Sequence, residues 1–325
     1  MLSARHRLFS YLNLERWQVL PLTLAALAGL AVAQWQPEAV SGWSIMLWPL
    51  LALLMFVSFL HLDLRRWRRS LADRDFLLTI LALNFLLLPL ATALVLFLLP
   101  ADPVIRLAVA LVLLAPCTDW FLAFNLIGRG NPERATTAVP LLLLGQVVAV
   151  PIWLMILLGS GQLQSFEPLR FLVVFIGLFA IPLALALGIR YLSVGRPLLQ
   201  STLGAAQRAP LLFLLPVVFL VAATQLADLP SDSFSRLLPV TAVFLLWALL
   251  ALSLALLAGR LTGLSIPGQR TLLFSAGSRN SFVVLPFALA LPFGAELAAG
   301  VIMIQAMVEL CLLILLTGLV PRLIR

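Results

Sequence analysis

Apolar residues in this chain do not alternate or keep to one helical face. They fill whole segments, one after another, with short polar breaks between them. A helix rises 1.5 Å per residue, so about 20 such residues cross the hydrocarbon of a bilayer. Reading the runs and breaks predicts ten spans: 17 to 35, 44 to 61, 76 to 99, 104 to 127, 135 to 158, 168 to 191, 210 to 227, 237 to 258, 271 to 291 and 297 to 319. The first run ends in Ala31-Val32-Ala33 after Arg5 and Arg7, in the manner of a signal peptide, but its length from Trp17 to Trp35 is read as a span. The expected fold is an all-α polytopic membrane protein, one transmembrane domain over residues 1–325.

Composition agrees: 63% of the residues are hydrophobic and 10% charged. All 21 basic residues are arginines, and the net charge is +8. Arg65-Arg66-Trp67-Arg68-Arg69, with Arg5, Arg7, Arg16, Arg129, Arg134, Arg190, Arg196, Arg208, Arg260, Arg270, Arg322 and Arg325, falls on one side of the predicted topology. Glu38, Asp102, Glu167, Asp228, Asp232 and Glu296 fall on the other. The positive-inside rule then puts both termini in the cytoplasm and the chain in the cell (inner) membrane. Arginines spread between spans make no nucleic-acid face. His6 and His61 lie at the surface and no His-Glu-x-x-His helix exists, so an enzyme is not expected, nor a cofactor. Nothing in the sequence sets an oligomeric state.

Five spans per half implies two inverted repeats, 17–158 and 168–319, as in many secondary transporters. The segment from Ala115-Pro116-Cys117-Thr118-Asp119 to Glu133 can be laid over Gly277-Ser278-Arg279-Asn280-Ser281 to Glu296, which sets Gln146 opposite Glu309. Pro116 predicts an interrupted fourth span near Ala115 to Thr118. Gly277 and the run from Ser275 to Ser281 weaken the ninth. Crossed broken helices expose backbone groups that transporters use to hold substrates and ions.

Charges at mid-depth require partners, because an unpaired one costs several kcal/mol. Asp119 and Arg279 are expected to pair where the broken helices cross; the other reading has Asp119 capping a half-helix and Arg279 snorkelling to water. Glu309 reads as a proton site that loads and releases as the cavity alternates, or as a structural carboxylate bonded to a neighbouring helix. Cys117, on residue type alone, reads as a small apolar filler, and so does Cys311.

The segment Ala115-Pro116-Cys117, continuing through Asn125 to Gly128-Arg129-Gly130-Asn131, resembles the fourth span and loop of the arsenite efflux permeases of the yeast arsenical-resistance type, in the bile acid/arsenite/riboflavin transporter superfamily. Asn280 and Val308-Glu309-Leu310 resemble theirs too. The likeness in hydropathy covers nearly the whole chain, and the specific motifs about 113 to 150 and 272 to 312. It implies that Cys117 is a thiolate ligand for trivalent arsenic and that Glu309 is needed for transport. The sister sodium/bile acid symporters share the implied fold. Their sodium ligands fall here on Phe121 and Leu122, and on Ser275 and Arg279, so the resemblance implies that sodium sites are absent. The chain departs from the arsenite pattern at Asp119, Trp120 and Arg279.

The expectation is therefore a secondary transporter exporting arsenite, with antimonite left open, by antiport with protons. Cys117, Thr118, Asn280 and Ser281 are the expected substrate contacts, with Glu309 the proton carrier, Asp119 and Arg279 the structural pair, and Asn125 and Gln146 secondary candidates. The alternative is an organic-anion transporter of the bile acid symporter type, in which Arg279 attracts a carboxylate.

Overall fold

The computed structural model describes residues 19–40, 42–60, 73–162, 168–206, 210–227, 229 and 233–324; at position 119 and at some helix ends it describes the backbone alone. The arginine cluster at 65–69, both histidines, and Glu167, Asp228 and Asp232 lie outside the described residues.

All regular structure among the described residues is helical. Helix α1 is Val19–Trp35, followed by the short α2 (Pro37–Val40) and by α3 (Ser44–Phe59). Helix α4 is Arg74–Leu96, with a π-turn at Leu83–Leu87. Then come α5 (Pro103–Leu114), α6 (Asp119–Ile127) and α7 (Pro132–Gln162). Helix α8 runs from Pro168–Phe175 through a π-turn to Ile181–Leu192; α9 is Pro197–Ala206; α10 is Pro210–Val221 with a π-turn at Ala222–Leu226. Last are α11 (Ser233–Leu261), α12 (Ile266–Gly277), α13 (Ser281–Leu289) and α14 (Ala295–Leu323).

Five of these are long and apolar enough to cross a membrane alone: Arg74–Leu96, Pro132–Gly159, Leu172–Leu192, Ser235–Leu261 and Ala295–Leu323. Helices α1, α3 and α10 are shorter apolar spans, and α5/α6 and α12/α13 are each one span in two halves, so the described residues make ten spans. The broken pair α12/α13 begins at Ile266 where the sequence reading began its span at 271, and α11 starts at Ser233 where 237 was read. Apolarity ends at the hydrocarbon boundary, but the helical hydrogen bonds continue beyond it. Helix α9, between the sixth and seventh spans, was not foreseen.

Side-chain ties fix which ends share a face. Arg134 at the start of α7 reaches Asp73 at the start of α4 (2.6 Å) and Ser265 just before α12 (3.0 Å). Asp102, before α5, meets Arg236 near the start of α11 (3.1 Å). Spans three, five and nine therefore begin on one face, and spans four and eight on the other. Asp102 also accepts from the amides of Val104 (2.9 Å) and Ile105 (3.1 Å), capping α5.

Helices α1, α3, α8 and α10 pack together as one layer; α4, α5/α6, α7, α11, α12/α13 and α14 form the other. Lipid is as apolar as leucine, so close backbone approach has to supply the packing energy. Gly29 of α1 sits against α10 so tightly that a Cβ there would strike the Phe219 carbonyl. Ala298, Ala299 and Gly300 form a buried run of small residues on α14.

Candidate substrate and coupling site at the helix crossing

The fourth and ninth spans break opposite each other. Helix α5 stops at Leu114, where Ala115 turns extended, and α12 stops at Gly277, where Ser278 turns extended. The two extended segments form an antiparallel bridge between Pro116 and Arg279. The Cys117 amide donates to the Ser278 carbonyl (3.3 Å), and the Asn280 amide to the Ala115 carbonyl (2.8 Å). Pro116 and Arg279 are thus the non-hydrogen-bonded pair of the ladder, the register at which a proline loses nothing for want of an N–H. Beyond the breaks, Trp120 and Phe282 pack edge to face at 6.1 Å. The interruption predicted for the fourth span is present, and the ninth span has its counterpart without a proline.

Arg279 is 1% exposed, among the largest fully buried side chains in the protein. Its Nη2 donates to Asn84 Oδ1 (2.8 Å), the Ser275 carbonyl (2.7 Å) and the Ala276 carbonyl (3.5 Å), and its Nη1 to the Leu113 carbonyl (3.4 Å). The guanidinium lies 5.2 Å from the ring centre of Trp247, whose indole N–H is held by Thr92 at 3.1 Å. It interacts electrostatically with Glu309 and Cys117. Arg279 is therefore bound inside the protein, where one reading of the sequence had it snorkelling to water. The side chain of Asp119, its expected partner, lies outside the described residues; the Asp119 backbone opens α6.

A second polar chain runs from α13 to α14. The Ser281 hydroxyl donates to Gln305 Oε1, and Gln305 Nε2 donates to Glu309 Oε2 at 2.7 Å. Glu309 Oε1 and Asn280 Nδ2 are buried without a hydrogen-bond partner, while Asn280 Oδ1 caps α13 through the Val283 amide (3.3 Å). Cys117, Thr118, Asn280, Ser281 and Glu309 are all buried around the crossing.

Two of the expected residues take no part in these hydrogen bonds. Asn125 lies about two turns along α6, where its Nδ2 donates to the Asn131 carbonyl (3.2 Å). Asn131 is itself docked on α12 through Thr271 Oγ1 (2.8 Å). Gln146 of α7 lines a cavity of about 550 Å³, and both of its polar side-chain atoms are buried without a partner. The remaining walls are almost wholly apolar, among them Leu111 and Ala115 of the fourth span, Phe175 and Phe179 of α8, and Val283 and Phe287 of α13.

Sequence reasoning missed Asn84, Gln305 and Trp247. Asn84 sits in the π-turn of α4, donating to the Ile80 carbonyl and to Ser275 Oγ, both at 2.9 Å. Single amides in the apolar third and tenth spans were the available signal.

No curated protein matches the chain. Two broken helices crossing in a ten-span bundle, with buried polar groups at the crossing, form the architecture of a secondary transporter. The model of the sodium bile acid symporter family matches residues 48–231, more than half of the 325, and the chain belongs to that family.

Proposed function

We propose that this chain is a secondary transporter for an organic solute with an apolar body and an anionic head. The cavity carries the reading: about 550 Å³ suits a small organic molecule, and its walls are almost entirely apolar. Gln146 is the lone polar side chain among its lining residues and can both donate and accept. The anionic head follows from the helix ends. Half-helices α6 and α13 both start at the crossing, so the positive ends of their dipoles face it, with the Arg279 charge behind. In this reading Thr118, Asn280 and Ser281 meet the head, and Asn280 Nδ2 is a donor in waiting. Glu309 carries the coupling proton, with Gln305 orienting it. Repeats 17–158 and 168–319 rock around the crossing, with both termini in the cytoplasm of a cell whose inner membrane holds the protein.

A second reading is export of arsenite, with antimonite left open. It is favoured by Cys117, a buried thiol at the break within electrostatic reach of Arg279. One set of vesicles containing the purified protein separates the two. Accumulation of an amphipathic carboxylate, abolished when Gln146→Trp fills the cavity, supports the first. Arsenite movement that disappears in Cys117→Ser, with no carboxylate movement, overturns the first in favour of the second.

A further inference from the structure

The family's name carries sodium, and the crossing contains a cluster of oxygens of the kind that holds such an ion. Helices α5 and α12 both end there, so their last carbonyls have no intrahelical partner and their dipoles point negative ends at one spot. Unwound carbonyls and half-helix C-termini are what transporters use to coordinate monovalent cations. Here the carbonyls of Leu113, Ser275 and Ala276, with Asn84 Oδ1, converge within 2.7–3.5 Å of their donors. The donors are the two terminal nitrogens of one guanidinium, and the side chain that carries it is 1% exposed. A sodium ion does not fit, because Arg279 already fills the cage.

We infer that the Arg279 guanidinium is a tethered cation: it permanently occupies a monovalent-cation site formed by the two half-helix C-termini and Asn84, so this protein needs no dissolved cation there. The geometry argues for charge as well as shape. Each of the four acceptors is an uncharged oxygen, so no carboxylate among them neutralises the guanidinium. What balances it is the pair of dipole ends, with the Trp247 face at 5.2 Å and Glu309 at electrostatic range. Asn84 is placed by the π-turn of α4 and braced by Ser275 Oγ and the Ile80 carbonyl, so its oxygen is held in position by contacts other than the one to the cation. Truncating the arginine empties the cage but leaves its walls, and a dissolved cation can then take the position.

The inference deepens the transport reading, but its test needs no substrate and stands or falls separately. Wild type and Arg279→Ala, both full length in detergent, are unfolded thermally in sodium chloride, in choline chloride and in choline chloride with methylguanidinium. Wild type is expected to melt at the same temperature in all three. Arg279→Ala is expected to melt lower in choline and to regain about 3 °C or more with sodium or methylguanidinium. Equal sodium stabilisation of wild type overturns the inference, and so does a folded Arg279→Ala that gains nothing from either cation. If Arg279→Ala does not fold, Arg279→Lys decides: an ammonium in the same cage should fold and melt alike in sodium and choline. A lysine variant that fails to fold, or that sodium stabilises, overturns it.

Discussion

Replacing Asn84 with leucine removes the only side chain among the four oxygens around Arg279 and keeps the branching of the side chain, with bulkier ends. Three hydrogen bonds of different value are lost. The bonds from Asn84 Nδ2 to Ser275 Oγ and to the Ile80 carbonyl join neutral groups, and such bonds within membranes average about 0.6 kcal/mol each. The bond from Arg279 Nη2 at 2.8 Å involves a charge and is worth about 1.5–3 kcal/mol, because a buried cation is left short of an acceptor. The charged bond decides the outcome, and the sum is about 2.5–4 kcal/mol. For a chain of this size that is roughly 4–8 °C in melting temperature. The assay is the fraction of protein remaining monodisperse after heating, in wild type, Asn84→Leu, Arg279→Met and the double variant. Once methionine has removed the charge, Asn84→Leu should cost only the two neutral bonds, so its effect should shrink by more than half. An Asn84→Leu protein melting within about 1 °C of wild type would refute the reasoning, and so would equal losses in both backgrounds.

Glu309→Gln keeps the Gln305 contact but cannot carry a proton; transport in vesicles should continue down a substrate gradient yet stop responding to an imposed pH gradient, and an undiminished response would remove Glu309 from coupling. Gln146→Leu relieves two buried, unpartnered polar atoms and should raise thermal stability by about 1–3 kcal/mol while lowering transport; lower stability would mean that the amide has a partner at rest. A Cβ on Gly130 would strike Asn125 Oδ1, so Gly130→Ala should destabilise by about 1–3 kcal/mol, and adding Asn125→Ala should cost less than the sum of the single changes in a thermal double-mutant cycle. Asp102→Asn keeps the cap on α5 and loses only a half-exposed ion pair, about 0–1 kcal/mol, whereas Asp102→Ala loses the cap too and should cost about 1 kcal/mol more in the same melting assay.

How much of this was legible in the sequence depends on where each piece of information resides. Span number follows from solvent: ten apolar runs had no other place to go, and the ten spans appear. The break at Pro116 was legible because proline acts through its own backbone. The break at Ser278–Asn280 was visible only as a weakness, because what holds it open is the pairing with Ala115 and Cys117 across the crossing. Arg279 was recognised as a charge in need of partners, but three of its four acceptors are backbone carbonyls, and carbonyls carry no letter in the sequence. Asn84 was overlooked for a related reason: an isolated amide in an apolar span has many structural explanations until the residue it touches, 195 positions later, is known. Asn125 shows the reverse case, a polar mid-span residue whose hydrogen bond serves a loop docked on α12 and not the crossing.

The crossing also sorts helix ends by sign, which accounts for an arginine at this position of the bridge. Two half-helices end there with unpaired carbonyls, and two begin there with unpaired amides. Uncompensated, the carbonyl ends would repel each other at close range, and the bridge alone satisfies only Ala115 and Ser278. The residue paired with Pro116 sits between both carbonyl ends, so a long side chain there reaches Leu113 on one and Ser275 and Ala276 on the other. A planar guanidinium bonds in two directions from one charge and so answers both ends at once. With the negative ends answered from within, the starts of α6 and α13 are left as the positive dipole ends of the crossing, the side that the proposed anionic head would meet.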